Sequence, residues 1–147
     1  MDSQDEKVVK ATIGKNSAEK DWFLQNLVSL TNNKISFGVT LTVSGTLISG
    51  TLIGGKEYFK LFGESFASGM KDEKSAENVK ATYAEYGKTY DKDSKDIPAP
   101  SFIHLKGAKF YAVGGEPIPS DQGVLWRGRI SEVSGFSLGA FSAVINS

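Results

Sequence analysis

Cysteine is absent from all 147 residues of the chain. That removes disulfides, thiolate zinc sites and thiol nucleophiles together, and it fits a reducing cytoplasm. Histidine occurs once, at His104, so no site needing two imidazoles, the HExxH type included, can be built. Net charge is missing as well. Seventeen basic residues stand against 17 acidic ones, leaving no long-range field to steer the chain toward nucleic acid or membrane. No apolar run approaches the roughly 20 residues of a membrane helix, and the opening "MDSQDEKVVKATIGKNS" lacks the apolar centre of a signal peptide. The expectation is a soluble, cytoplasmic protein. A chain of this length buries about 68–70% of its unfolded surface and needs neither metal nor disulfide to hold a core.

What is present organises itself by period. Residues 1–15 read as a flexible N-terminal arm, with Val8, Val9 and Ile13 a short edge strand at most, and 16–147 as a single domain. "NSAEKDWFLQNLVSL" reads as a helix, with Asn16 and Glu19 in a capping-box spacing. Phe23, Leu27 and Leu30 form its apolar stripe, flanked by Leu24 and Val28. In "ISFGVTLTVSG", Ile35, Phe37, Val39, Leu41 and Val43 alternate with small or polar residues, which puts all of them on one face of a strand. Ser44-Gly45 supplies a turn, "TLISGTLI" returns as the hairpin partner, and Gly50 inside it predicts a bulge or bend. "KEYFKLFGESFASG" reads as a helix turning Tyr58, Phe59, Phe62 and Phe66 toward a core.

Half of Lys71 to Asp96 is charged, with the signs mixed. Val79, Tyr83, Tyr86 and Tyr90 still repeat at helical spacing, so about 70–100 reads as a helical, charged insertion with a linker-like end, dispensable for the fold. "SFIHLK" and "KFYAV" follow as strands joined or bent at Gly107. After the loop "GGEPIPSDQG", "VLWRGRISEV" and "FSLGAFSAVI" form a hairpin around Ser134-Gly135. The fold class is therefore α+β: a strongly bent antiparallel sheet or small, partly open barrel of about six strands, with an N-terminal helix and the insertion between the sheet halves.

No motif for chemistry survives inspection. Gly54-Gly55 and Gly114-Gly115 lack the Lys-Ser/Thr of a phosphate loop and the GxGxxG of a dinucleotide fold, so both read as turns. Asp91, Asp93 and Asp96 lack the loop glycine and final glutamate of a calcium site. There is no G-x-S-x-G elbow, and an esterase-like role rests only on His104 and scattered serines. No catalytic, cofactor-binding or metal-ligating residue is identified. His104 alternates with Phe102 and Lys106, opposite Ile103 and Leu105, and reads as a surface or rim residue. In "LWRGRI", Arg127 and Arg129 share one strand face while Trp126 and Ile130 point to the core. Both arginines of the chain stand here against fifteen lysines elsewhere, which suits a planar, bidentate contact to a carboxylate. The candidate contact residues are Arg127, Arg129, Trp126, His104 and Lys106.

Two blocks, "ISFGVTLTVSGTLISGTLIGGKEYFKLFGESFASG" and "FIHLKGAKFYAVGG…P…GVLWRGRISEVSGFSLG", resemble the gas vesicle accessory protein U family over roughly Asp21 to Gly139. The resemblance implies a non-enzymatic protein without cofactors. It would act by self-association or by binding the gas vesicle shell, or other gas vesicle proteins, to influence vesicle assembly or clustering. The alternative likeness is to an Sm-like small barrel that binds RNA or serves as an interaction module. There the first block should be followed by an Asp…Asn pair, and "IGGKEYFKLFG" stands in its place.

Overall fold

Asp21 caps the first helix. Its carboxylate accepts hydrogen bonds from the backbone N–H groups of Phe23 (2.8 Å) and Leu24 (3.4 Å), capping helix α1, Trp22–Leu30. The computed structural model describes residues 20–91, 97–112 and 114–141. The proposed arm at 1–15 and the Asn16/Glu19 box lie outside them. With Asp21 as the cap, α1 has only 9 residues, and the pair it buries is Leu24 and Val28, four apart on one face. Phe23 and Leu30 of the expected stripe are exposed, although the Phe23 ring still meets Phe136 edge-on at 5.8 Å.

The hairpin is formed as expected. Strands β1 (Phe37–Val43) and β2 (Thr46–Ile53) pair from Phe37↔Leu52 to Val43↔Thr46. Ser44 (φ 50) and Gly45 (φ 79) between them are both left-handed, the requirement of a two-residue turn that follows the strand twist. Ile35 falls before β1 and is exposed. Strand β3, Phe102–Tyr111, pairs with β2 across a bulge. Ser49 faces Lys109 but Thr51 faces Lys106, so β3 carries one extra residue. A Cβ on Gly50 would stand 3.0 Å from both the Ala108 Cα and the Lys106 carbonyl oxygen. Gly107, at φ 61, absorbs the bend.

Strands β4 (Val124–Arg129) and β5 (Val133–Leu138) complete a five-stranded sheet in the order β4-β3-β2-β1-β5. They are not hairpin partners, and Ser134-Gly135 is not a turn. Gly135 lies within β5 opposite Thr42, and the connection is a three-residue 3-10 turn, Ile130–Glu132. Ile130 is drawn fully into the core, and that burial places the turn. A flat sheet of this order would hold its edges roughly 19 Å apart, at about 4.8 Å per strand spacing. A 3-10 turn advances only about 2 Å per residue, so the sheet curls to bring its edges near each other. The architecture is an α+β fold with a bent, open antiparallel sheet.

The concave face holds the core: Val39, Leu41, Ile48, Leu52, Ile103, Leu105, Ala108 and Ile130, covered by Leu24 and Val28 of α1. The convex face is covered in two places. Helices α2 (Gly55–Ala67) and α3 (Glu73–Tyr86) form an antiparallel pair over the β3–β4 end. They approach closely at Gly63, where a Cβ would meet Tyr83 and Lys80 at 3.2 to 3.3 Å. The insertion is thus helical, capped by Asp72 on Ser75, yet α3 has no fully buried residue. A 3-10 segment, Gly87–Asp91, follows, and the linker-like Lys92 to Asp96 lies outside the described residues. At the other end, Gly139 (φ 100) turns the chain over β1 and β2. Gly139 donates to the Gly38 carbonyl (2.8 Å) and accepts from Thr40 Oγ1 (2.8 Å), while the Phe141 N–H donates to Ser49 Oγ (2.6 Å). Of the described part of "FSLGAFSAVI", then, Phe136–Leu138 is strand, and residues 142–147 lie outside the described residues.

Candidate functional site

The β3–β4 register decides what can meet. His104 lies opposite Arg127, Phe102 opposite Arg129, and Leu105 opposite Trp126. Facing partners share a side of the sheet, so Arg127, Arg129, His104 and Lys106 all belong to the convex face and Trp126 to the concave one. Trp126 packs half-buried against the core, its ring over Gly128, where a Cβ would overlap it. Both arginines are exposed on an edge strand, and neither is in an ion pair among the described residues. Arg127 lies over the Phe102 ring, 3.6 Å from its centroid. Lys106 reaches Glu57 of α2 at 3.5 Å, a half-exposed pair that contributes little.

His104 is not a surface or rim residue. It is only 2% exposed, because α2 lands on it. Its ring packs at a tilt against Tyr58 (4.5 Å between centroids) and meets Phe59 edge-on at 6.0 Å. Nε2 is buried with no hydrogen-bond partner among the described residues. Burial, helped by the nearby Arg127 charge, holds the imidazole down to about 4, so it is neutral at physiological pH. Among the described residues no serine hydroxyl meets Nε2, the pairing that a Ser-His general base makes.

Sequence reasoning missed the surface above His104. Tyr58, Phe59, Phe62, Tyr83, Tyr86, Thr89, Tyr90 and Arg127 line an open groove of about 510 Å³. The rings form one network: Phe62 to Tyr83 at 4.9 Å, Phe59 to Tyr86 at 5.7 Å, Tyr83 to Tyr86 at 6.0 Å. Tyr90 closes one end, its ring resting on Gly55, where any Cβ would overlap it. Burial raises the Tyr58 and Tyr90 hydroxyls, with Arg127 pulling both the other way, so both stay protonated. The signal was present in the three-and-four spacing of Tyr83, Tyr86 and Tyr90, but it read as a single amphipathic helix rather than as half of a groove. No cluster of metal-ligating side chains occurs among the described residues, and none of their helices is long and apolar enough to cross a membrane.

The sequence model of the family described as "Gas vesicle protein GvpU-like" matches residues 21–141. The chain belongs to this family. No curated protein and no solved structure gives a match. In this GvpU-like chain the matched span runs from the cap of α1 to Phe141, the last described residue. It includes the α2–α3 groove and the closing stretch over β1 and β2, so the family's domain is the fold described above. The gas vesicle is therefore the setting in which an exposed arginine pair and an aromatic groove have to be understood.

Proposed function

We propose that this protein is a non-enzymatic, cytoplasmic accessory of gas vesicles, working at the vesicle surface through protein contacts, by self-association, by binding the vesicle shell or its other proteins, or both, and thereby influencing vesicle assembly or clustering. The observation that carries the proposal is the state of Arg127 and Arg129. Two exposed guanidinium groups on an edge strand find no carboxylate within the described residues, and one is already held flat on Phe102. A guanidinium stacked in this way is pre-organised for a planar bidentate partner. Membership of the GvpU-like family supports seeking that partner among gas vesicle components. Catalysis finds no support in a lone, buried, neutral imidazole with an unpartnered Nε2. An RNA-binding role is disfavoured by the zero net charge.

Flotation tests the proposal directly. Intact gas vesicles rise on gentle centrifugation and carry bound protein with them. The wild-type chain should be recovered in the buoyant layer, and recovery should fall as salt screens charges beyond about 8–10 Å. Arg127→Ala with Arg129→Ala should reduce it several-fold. A wild-type protein that stays below the vesicles and remains monomeric by light scattering at every salt concentration would defeat the reading.

A further inference from the structure

Of the eight residues lining the α2–α3 groove, Arg127 alone is charged. Stacking on Phe102 occupies a face of its guanidinium and leaves the in-plane N–H fork, which cannot lose its charge. No carboxylate pairs with it among the described residues. Apart from Thr89 the remaining walls are aromatic, and they are partly open: Tyr86 is 56% exposed, with Phe66 alongside at 53%. Tyrosine beside arginine is the composition of interface hot spots.

The chemistry of an occupant follows. A cation drawn to the rings would meet Arg127 and be repelled. A wholly apolar segment would strip water from the guanidinium without replacing it, which is unfavourable. A carboxylate alone would leave the rings unused. Volume narrows the choice again, since about 510 Å³ is the size of a small-ligand pocket and takes a few side chains, not a domain face. We infer that the groove is a docking site for a short peptide segment of a partner protein, in which a carboxylate stands next to an aromatic or aliphatic anchor. The carboxylate takes the Arg127 fork, and the anchor lies among Phe59, Phe62, Tyr83 and Tyr86. This goes beyond vesicle contact, because it requires only that the partner be a protein with such a segment.

The test uses the full ¹⁵N-labelled chain and two acetylated, amidated peptides of sequence Phe-Asp-Leu-Phe and Phe-Asn-Leu-Phe. The acidic peptide should shift the amides of α2, α3 and Arg127 saturably, and its amide twin should bind about tenfold more weakly or worse, as expected for losing a hydrogen bond to a charged group. Arg127→Lys should shrink the discrimination between the peptides, and Arg127→Gln should abolish it. Tyr86→Ser, at an exposed position, should weaken both peptides alike while leaving the rest of the spectrum in place. Should Arg127→Gln fail to fold, the peptide pair and Tyr86→Ser decide alone. Equal affinity for the two peptides, or shifts confined to surfaces away from the groove, would overturn the inference. So would the same shifts produced by poly(U) RNA or anionic lipid vesicles while the peptides stay silent. Because these measurements contain no gas vesicles, their failure leaves the flotation result to stand or fall independently.

Discussion

Replacing His104 with phenylalanine should flatten the pH dependence of stability between about pH 7.5 and pH 5. His104 is the only imidazole in the chain, so in untagged protein this window belongs almost entirely to one group. Unfolded, it titrates near 6.5; folded, near 4, because the closed environment under α2 penalises the charged ring. The unfolded chain therefore takes up a proton that the folded chain refuses. Stability is fully present above pH 6.5 and is lost as pH falls toward 4. The whole difference corresponds to about 3 kcal/mol, of which about 2 kcal/mol should be gone by pH 5. Phenylalanine keeps the packing on Tyr58 and removes the unpartnered Nε2, a gain of ~1–3 kcal/mol set against ~1–3 kcal/mol for the larger ring. Stability at neutral pH should thus change little, and the slope is the informative quantity. Urea denaturation followed by circular dichroism across the window measures it. The window stops near pH 5, because carboxylates held low in the fold, such as Asp72 with its hydrogen bonds from Ser75, begin to contribute below that. A wild-type protein equally stable at both ends, or a His104→Phe variant with the wild-type slope, would refute the reasoning.

Trp126→Ala should destabilise by ~3–5 kcal/mol in urea melts, since its ring packs on the core, whereas Arg127→Ala with Arg129→Ala should cost no more than about 1 kcal/mol, the scale of an exposed cation–π contact. Gly50→Val should cost ~1–3 kcal/mol, because its new Cβ presses on the backbone of Lys106 and Ala108 rather than on side chains that can move; an unchanged melting temperature would remove the close approach as an explanation for this glycine. Tyr83→Ala should accelerate hydrogen exchange across α3 while leaving β2 and β3 protected, since α3 buries no residue fully and leans on Phe62 and Gly63. Equal acceleration in helix and sheet would show instead that α3 is integral to the cooperative unit.

The legible parts of this fold were those in which the local period and the tertiary environment agree. The alternation from Phe37 to Val43 specifies a strand whatever its neighbours, and Gly50 and Gly107 marked a bulge because little else tolerates that geometry. Where placement depends on a distant partner, local signals misled. Ser134-Gly135 has the composition of a turn, yet its residues are held in β5 by pairing with a strand from the other end of the chain. The Phe23 stripe was as good a helix face as Leu24 and Val28, and only the point at which Asp21 caps α1, together with the sheet beneath it, selects between them. For the site, strand alternation put His104 with Lys106 and Arg127 with Arg129, but not the two pairs on the same face, which the β3–β4 register decides. It could not say that α2 would bury His104 and leave Arg127 at the mouth of a groove.

The pairing of β1 with β5 has a consequence for how the chain is made. Val43 waits for Val133, synthesised about 90 residues later, which at 5–20 residues per second is roughly 5–20 seconds on the ribosome. During that interval "FGVTLTV" has one edge satisfied by β2 and the other bare, without charge or proline to discourage a foreign strand. The nascent protein is therefore most vulnerable to mispairing at β1, and safe release depends on the arrival of β5.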